Sequence, residues 1–400
     1  MIPMDCPPFL VSWNITKRCN LKCSHCYLDA SELEGNNEAT TVEAHRFVDE
    51  IASVNPQAML VLTGGEPLMR PDIFEVSCYA SQKGLTVVLG TNGTLLEDKL
   101  IEKLKDSGVK GVGVSLDSLN PSYHDTFRGQ DGAWQKTVKA IDSLRLHEVP
   151  FQLQLTATRQ NMQEIPSFIE FAYEKNAKAV NIFFLVCTGR GQDITDITPS
   201  EYEEILKYLT EAEDAYKGKI MVRARCAPHF LRVASENPLH GSTSGCIAGR
   251  GYLRISPEGF VTPCPYIPVN SATYNLKEKP LKDIIETDRQ FTSLRKPQYS
   301  GRCKGCEFAE SCGGCRARAL ASTGDLMGED PWCAYEPKGS DAKKIEVNPL
   351  WTIEAQERLK NIPSFLRGMV KKGVERYAKH KGIERITPEL MAELRKRSGR

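Results

Sequence analysis

The sequence lacks a long hydrophobic run, a strong excess of charge and a hydrophobic leader. Its longest apolar stretches, such as residues 179–187, are far shorter than the roughly 20 residues that a membrane-spanning helix needs. No basic-then-apolar segment opens the chain. With 52 Lys and Arg against 51 Asp and Glu, the net charge of +1 disfavours a nucleic-acid binder held by bulk electrostatics. We therefore expect a cytoplasmic protein that binds neither membranes nor nucleic acid.

Cysteine, by contrast, is abundant, with 14 copies in 400 residues. Without a secretion signal these thiols do not indicate a disulfide framework, and clustered thiols in a reducing compartment indicate metal binding. Most of them fall into two groups, one near the start of the chain and one in its second half. A lone cysteine is more often a small buried apolar residue, and the scattered copies are Cys6, Cys78, Cys187 and Cys226.

Short β-branched runs alternate with amphipathic stretches over residues 8–186, which predicts βα units around a parallel sheet. The chain is long enough for more than one domain. We predict an α/β fold whose first domain is a partial barrel of six βα units. In such folds the loops at the carboxyl ends of the strands carry the chemistry. The predicted strands are Phe9–Ile15, Ala58–Thr63, Thr86–Gly90, Gly111–Leu116, Phe151–Ala157 and Ala179–Leu185.

The βα pattern ends near residue 220, and a cysteine-rich block with weak periodicity follows. A charged linker then leads to a tail with apolar residues at helical spacing. The predicted domains are 1–218, 219–336 and 350–400, with a linker over 337–349. The tail from Trp351 carries 13 Lys or Arg against 6 Asp or Glu. This excess is typical of a solvated helical face or of a basic docking surface for an anionic partner.

The first cysteine group, Cys19, Cys23 and Cys26, lies in one short loop directly after the first predicted strand. Three thiolates at this spacing can hold three corners of a four-iron cluster and leave the fourth iron without a protein ligand. An external molecule must then complete the coordination. The alternative is a zinc knuckle, but structural zinc needs four closed ligands, and His25 is the only nearby candidate for the fourth.

This C-x3-C-x2-C-aromatic loop resembles that of the radical S-adenosylmethionine (SAM) superfamily. The resemblance implies that SAM chelates the open iron of a [4Fe-4S] cluster. Reductive cleavage of SAM then generates a 5′-deoxyadenosyl radical that abstracts hydrogen from an unactivated carbon. Residues 63–67, Thr-Gly-Gly-Glu-Pro, match the family's segment that receives the SAM amino group. The cofactor-binding residues that the resemblance implies are Tyr27, Gly64, Gly65, Glu66, Pro67, Asn92, Ser115, Asp117 and Arg128.

Two of these positions keep an alternative interpretation. Asp117 is expected to contact the ribose or methionine of SAM, but a strand-end turn explains an aspartate there equally well. Arg128 is expected to pair with the SAM carboxylate, and an exposed arginine without such a role is the alternative.

The second cysteine group resembles a SPASM domain, the extension of radical SAM enzymes that carries auxiliary iron–sulfur clusters. One or two auxiliary [4Fe-4S] clusters are implied, although two zinc-ribbon sites have compatible spacing. The last short spacing is two residues, Gly313-Gly314, where the family usually has three. The implied ligands of one cluster are Cys303, Cys306, Cys312 and Cys333. Those of another are Cys246, Cys264 and Cys315, with Cys226, His229 or substrate in the fourth position.

Within this group the chain is similar to enzymes of the heme b synthase and heme d1 biosynthesis group. Residues 183–191, 226–229 and 312–319 carry the likeness, and residues 362–389 resemble the terminal module of the light-independent protochlorophyllide reductase subunit. A tetrapyrrole substrate is therefore implied. The reaction would be oxidative decarboxylation of iron-coproporphyrin III propionates to vinyl groups, with electrons from a flavodoxin- or ferredoxin-like donor. Arginine forks match propionates, and the candidates are Arg190, Arg316 and Arg318.

Two other functions remain as alternatives. A SPASM maturase that modifies side chains of a precursor peptide belongs to the same superfamily. Such enzymes often carry a leader-binding segment before the barrel, and the few residues before the first predicted strand count against that type. A non-catalytic iron–sulfur or zinc scaffold is the other alternative, but it has no need for residues 64–66 in register with the cysteine loop.

Overall fold

The computed structural model describes residues 7–33, 35–194, 197–235, 245–338, 350–362, 364–381, 383 and 385–397. They form two compact units. The first takes the described residues within 1–197, 219–225 and 248–297, and the second takes those within 198–218, 226–247 and 298–400. The first unit is built on a large, mostly parallel sheet, which confirms the predicted α/β class.

Nine strands of the described residues form this sheet, in the order β7-β6-β5-β4-β3-β2-β1-β8-β9. All neighbours pair in parallel except β9, which is antiparallel to β8. The carboxyl ends of the parallel strands therefore meet at one edge. The strands are β1 (Leu10–Thr16), β2 (Met59–Gly64), β3 (Thr86–Thr91), β4 (Val112–Ser115), β5 (Phe151–Ala157), β6 (Ala179–Phe184), β7 (Met221–Arg225), β8 (Tyr252–Ile255) and β9 (Val261–Thr262).

The six predicted strands are present within two residues of their predicted bounds, but the sheet has three more. β7 extends it beyond β6, and β8 pairs with β1, placing Leu253 opposite Val11. These strands are short and two of them contain arginine, so they carry little of the apolar pattern that identifies a buried strand. The six strands predicted over residues 8–186 are therefore confirmed, and the three further strands lie beyond that stretch.

Helices form between most of the strands, and their apolar residues recur at helical spacing, so that each helix has one apolar face to bury. α1 begins with a capping box, in which Thr40 and Glu43 satisfy each other's backbone N–H groups. It buries Phe47, whose ring lies 5.7 Å from that of Trp13 on β1. Burial of each such side chain contributes about 1.5–3 kcal/mol. The helices of this unit are α1 (Thr41–Val54), α2 (Ile73–Gln82), α3 (Asp98–Asp106), α4 (Pro121–Arg128), α5 (Ala133–Leu146), α6 (Ile165–Glu174), α9 (Leu281–Thr287) and α10 (Arg289–Arg295).

The second unit is mainly helical in its described residues. Its elements are α7 (Pro199–Ala215), α8 (Phe230–Ser235), α11 (Gly301–Lys304), α12 (Arg316–Thr323), β10 (Leu350–Trp351), α13 (Ile353–Lys360), α14 (Ser364–Lys381), β11 (Arg385–Ile386) and α15 (Pro388–Arg397).

Residues 350–397 share a small core of their own. Ala355, Leu359, Val374 and Ala378 pack there with Ile386, and β10 pairs in parallel with β11. The predicted helical module is therefore present. Most of the predicted linker, 339–349, lies outside the described residues. Among the described helices, none combines the length and apolar character needed to cross a bilayer.

Candidate active site and auxiliary cysteine sites

The cysteine loop leaves the carboxyl end of β1 and is fastened to the end of α4. The backbone N–H of Ser24 donates to Phe127 O at 2.9 Å, and that of Lys22 donates to Arg128 O at 3.2 Å. At the start of the loop, Cys19 N donates to Ser31 O. These bonds close the loop on itself and fix where its thiols lie.

The three thiols of this loop lie close enough to influence one another electrostatically. Leu21 N donates to Cys19 Sγ at 3.4 Å, and Ala30 N donates to Cys26 Sγ at 3.5 Å. Burial raises the pKa of Cys19 to about 12 and also raises the pKa of Cys23. Stable thiolates here therefore need a bound cation, and three thiolates with one open corner fit a four-iron cluster.

No three His, Cys, Asp or Glu side chains in the described part of the chain converge as they would around a single metal ion. A cluster with an iron at each corner spreads its thiolates further apart than one zinc ion does.

Gly64 and Gly65 bring the end of β2 into backbone contact with the cysteine loop. Gly65 N donates to Thr16 O and Glu66 N donates to Arg18 O, each at 2.8 Å. A Cβ on Gly64, whose φ is +130°, would lie 2.5 Å from Thr16 O, and one on Gly65 would lie 2.7 Å from the Arg18 carbonyl carbon. Only glycine permits this approach.

Glu66 is completely buried and ties the end of β2 to the end of β3. Thr91 Oγ1 donates to its carboxylate at 2.8 Å, Asn92 N at 2.9 Å and Leu68 N at 3.2 Å. Burial raises the pKa of Glu66 to about 7, although these donors oppose the shift. Pro67, also buried, follows in a short 3-10 turn. The Glu66 carboxylate therefore joins the ends of β2 and β3 and places hydrogen-bond acceptors at this edge of the sheet.

Asn92 links the β3 loop to the cysteine loop through a ring of three polar side chains. Its Nδ2 donates to Asn20 Oδ1 at 3.0 Å, Asn20 Nδ2 donates to Thr94 Oγ1 at 2.8 Å, and Thr94 Oγ1 donates to Asn92 Oδ1 at 2.7 Å. Asn20 lies between Cys19 and Cys23. The β3 loop therefore sets the conformation of the cysteine loop.

Asp117 and Arg128 form a buried ion pair beside Cys23. Arg128 Nη2 lies 2.6 Å from Asp117 Oδ2, and Arg128 Nη1 donates to Cys23 Sγ at 3.7 Å. Burial alone would raise the pKa of Asp117, but the guanidinium holds it below its ordinary value. Thr156 N donates to Asp117 Oδ1 at 2.8 Å. The alternative of an exposed Arg128 was wrong, since its side chain is only 8% exposed.

Two polar atoms near this pair are buried without a hydrogen-bond partner among the described residues: Arg128 Nε and His25 Nδ1. The imidazole of His25 stacks on Phe127 at 4.4 Å, and burial lowers its pKa to about 4, so it is neutral at pH 7. Ser115 is partly exposed at the end of β4. These donors and hydroxyls suit a polar, carboxylate-bearing ligand such as SAM.

Tyr27 connects the cysteine loop to β8. Asn14 Nδ2 donates to the Tyr27 hydroxyl at 2.8 Å, and Arg254 Nε donates to Asn14 Oδ1 at 2.5 Å. The Tyr27 ring also meets that of Tyr266 edge-on at 5.1 Å. Burial raises the pKa of Tyr27, so its phenol stays protonated.

Arg190, expected to bind a propionate, clamps the cysteine loop. Its Nε donates to Cys23 O at 3.0 Å, its Nη1 donates to Ala30 O at 3.0 Å, and its backbone N–H donates to Cys26 O at 3.0 Å. Nη1 also pairs with Asp29 at 2.7 Å. The loop carbonyls and Asp29 occupy Nε and Nη1, while Nη2 has no hydrogen-bond partner among the described residues, so propionate binding by Arg190 stays a prediction.

In the second unit, Cys303, Cys306, Cys312 and Cys333 line one cavity. These are the four residues expected to hold one auxiliary cluster. Their thiols interact electrostatically, and burial raises the pKa of Cys312 to about 12. The lining also includes His229 and Arg232, with Phe308 and Tyr335. The donor set fits a four-thiolate cluster.

The remaining expected ligands are divided between the units. Cys315 is buried at the N-terminus of α12, close enough to Cys246 for the two thiols to interact. Cys226 has a left-handed backbone, with φ of +55°. Cys264 belongs to the first unit, where it lies near Tyr27 and Tyr252.

His229, the other candidate for the missing ligand, is buried and hydrogen-bonded. Its Nδ1 lies 3.0 Å from the Tyr202 hydroxyl, and its Nε2 lies 3.8 Å from Asp330 Oδ2. Burial lowers the pKa of His229 to about 4. The tyrosine occupies Nδ1, so only Nε2 could ligate a metal.

The expectation that Arg316 and Arg318 bind propionates was wrong. Arg316 is 2% exposed and donates to Gly328 O at 2.8 Å, while Arg318 is 0% exposed and forms two bonds to Asp330. Both guanidinium groups form their hydrogen bonds inside the second unit. The consecutive left-handed residues Gly313 and Gly314 make the two-residue spacing possible.

Sequence reasoning missed the Arg190 clamp, the Asn20–Asn92 link and the Asp330 carboxylate. Polar residues directly after strands β3 and β6 were the available signal for the first two, because such residues meet at the active edge of the sheet. No local pattern distinguishes Asp330 from a loop aspartate.

Comparison with known proteins identifies three families along the chain. Residues 13–172 match the radical SAM superfamily, residues 246–307 match the iron–sulfur cluster-binding domain named SPASM, and residues 351–395 match the proto-chlorophyllide reductase 57 kD subunit. The parallel sheet, the cysteine loop at its carboxyl edge and these matches define a radical SAM enzyme with auxiliary iron–sulfur clusters.

Similar proteins of known name indicate which radical SAM enzymes this chain resembles. The chain is 41% identical to the AdoMet-dependent heme synthase of Methanosarcina barkeri, over 84% of this chain and 99% of that protein. It is 31% identical to the Fe-coproporphyrin III synthase of the same organism, over 81% and 87%. The fold is that of Streptococcus suis SuiB bound to S-adenosylmethionine, with a TM-score of 0.69, 18% identity and coverage of 82% and 77%. The chain belongs to the AdoMet-dependent heme synthase family of radical SAM enzymes.

Proposed function

We propose that this enzyme converts propionate side chains of iron-coproporphyrin III into vinyl groups by oxidative decarboxylation. The observation that carries the proposal is the 41% identity to an AdoMet-dependent heme synthase along nearly its whole length. The cysteine loop and the four-cysteine cavity support it, because the reaction needs both a radical source and an acceptor for the surplus electron.

When bound, the cluster on Cys19, Cys23 and Cys26 and its SAM ligand supply the hydrogen-abstracting radical. The chain contributes position and charge. Arg128 holds a positive charge beside Cys23 and leaves Nε free to donate to a carboxylate, while Asp117 keeps the guanidinium oriented. Burial excludes water, which strengthens these interactions and protects a reactive intermediate.

Removal of hydrogen and carbon dioxide from a propionate leaves one surplus electron on the porphyrin side chain. We propose that an auxiliary cluster accepts this electron and that a flavodoxin- or ferredoxin-like protein reduces the radical cluster. We further propose a cytoplasmic location, since a chain with this many cysteines needs a reducing compartment.

The test is anaerobic reconstitution with iron and sulfide, followed by incubation with SAM, dithionite and iron-coproporphyrin III. Stepwise loss of carboxyl groups from the porphyrin, with one deoxyadenosine formed per carboxyl lost, is the expected result. Deoxyadenosine without any change in the porphyrin would refute the heme assignment and leave a peptide substrate as the alternative within the superfamily.

A further inference from the structure

A buried ion pair adjoins Cys315 in the second unit. Arg318 Nε donates to Asp330 Oδ1 at 2.7 Å, and Arg318 Nη2 donates to Asp330 Oδ2 at 2.8 Å. Both residues are 0% exposed. A pair so deeply buried loses much of its Coulombic gain to desolvation, so burial of a charged pair is weak evidence for a purely stabilising role.

The guanidinium of Arg318 lies between two aromatic rings, 4.3 Å from the Trp332 centroid and 5.4 Å from that of Tyr202. The rings and the carboxylate fix its plane. Its Nη1 is buried with no hydrogen-bond partner in the described residues, and such an atom costs free energy unless a partner binds there.

Cys315 contacts both members of the pair. Its backbone N–H donates to Asp330 Oδ2 at 2.7 Å, and its thiol accepts the backbone N–H of Arg318. Burial raises the pKa of that thiol, and the positive charge of Arg318 is the largest influence that opposes the rise. Any cluster on Cys315 therefore sits beside a fixed cation and a fixed anion.

Asp330 also lies close to residues that line the four-cysteine cavity. His229, which lines that cavity, places Nε2 3.8 Å from Asp330 Oδ2, and Trp332 N donates to Asp330 Oδ1 at 3.1 Å, one residue before Cys333. One carboxylate thus touches the chain segments of both cysteine sets in this unit.

We propose that Arg318 and Asp330 are positioning residues that set the reduction potential of the auxiliary cluster bound through Cys315. The proposal rests on the proposed ligation by Cys315. Net charge and N–H donation to sulfur are the means by which a protein tunes such a cluster. The cation and the unpartnered Nη1 favour the reduced form, and the carboxylate opposes it.

The two residues therefore have opposite predicted effects. Asp330→Asn keeps the shape of the side chain but removes a negative charge, so the reduced fraction at a fixed potential should rise about tenfold, or 59 mV for one electron. Arg318→Lys keeps the charge but removes the fork of donors, so the reduced fraction should fall by a similar factor. A purely structural role would weaken cluster binding in both variants.

The experiment is an anaerobic potentiometric titration of the full-length reconstituted enzyme, followed by electron paramagnetic resonance. The radical cluster is recognised by its response to SAM, and Cys315→Ser identifies the auxiliary signal. Asp325→Asn is the matched control, because Asp325 is exposed and bonds only within its turn and to Ser300. It should leave the potential unchanged.

Opposite shifts in the two variants, with normal iron content, support the proposal. Shifts of the same sign, changes below twofold, or loss of the cluster in both folded variants overturn it. If Cys315→Ser alters no auxiliary signal, the ligand assignment itself fails. The reduction potential is measured without porphyrin turnover. A failure of the proposed heme function would therefore not be confused with a failure of this inference.

Discussion

Substitution of Gly65 by alanine should disable the cysteine loop without touching a cysteine. A Cβ at this position would lie 2.7 Å from both the Arg18 carbonyl carbon and Lys17 O, and closer still to Arg18 O. All three atoms belong to backbone, so no side chain can rotate away. The strand and the loop must separate, and the hydrogen bonds from Gly65 N to Thr16 O and from Glu66 N to Arg18 O weaken or break.

Overpacking costs about 1–3 kcal/mol, and each lost backbone hydrogen bond costs about 0.5–1.5 kcal/mol. With two such hydrogen bonds affected, the free energy of unfolding of Gly65→Ala should therefore fall by about 2–6 kcal/mol. Denaturant unfolding of the metal-free protein measures this loss, and iron per chain with deoxyadenosine formation measures the effect on the site. The free energy of unfolding, the iron content and deoxyadenosine formation should all decrease.

Gly218→Ala is the matched control, since Gly218 has φ of +77° but nothing lies within 4 Å of its added Cβ. Its free energy of unfolding should fall by about 1–3 kcal/mol, the cost of placing a non-glycine residue in a left-handed backbone conformation. SAM cleavage should be unchanged. Wild-type stability, iron content and SAM cleavage in Gly65→Ala would refute the role assigned to this backbone contact.

Three further outcomes are expected near the cysteine loop. Arg128→Met leaves Asp117 buried without its cation and should cost about 3–5 kcal/mol as well as weaken SAM binding, measured by calorimetry; unchanged affinity would contradict the assigned role. Arg190→Ala removes the side-chain clamp on Cys23 O and should lower iron retention under chelator challenge, and retention equal to that of wild type would argue against the clamp. Because burial raises the pKa of Glu66 to about 7, its protonated form stabilises the metal-free fold below its unfolded pKa, and this contribution is lost as pH rises through 7. The free energy of unfolding of wild type relative to that of Glu66→Gln should therefore fall as pH rises from about 4.5 to about 7, and a flat difference over that range would contradict it.

The repeating βα pattern and the cysteine loop were predictable because both are local. A parallel strand such as β3, which begins Thr86-Val87-Val88, reads as a compact β-branched run. The spacing of Cys19, Cys23 and Cys26 needs only eight residues of sequence. The place of that loop follows from the fold class, since parallel strands put their carboxyl ends at one edge.

The parts that could not be predicted depend on contacts between distant residues. Arg318 lies in a run of alternating arginines that resembles an exposed basic patch, and only the placement of Asp330, Trp332 and Tyr202 around it makes it interior. The pairing of β8 with β1 is likewise non-local, because its register joins residues more than 200 positions apart.

The most direct measurement is formation of 5′-deoxyadenosine from SAM by the anaerobically reconstituted, dithionite-reduced enzyme, compared with the Cys23→Ala variant. Cys23 is the thiol to which Arg128 donates, and its loss removes one of three corners of the cluster. Deoxyadenosine should accumulate with the wild-type chain and be absent with the variant. Equal accumulation in both would contradict the assignment of the cysteine loop as the site of SAM cleavage.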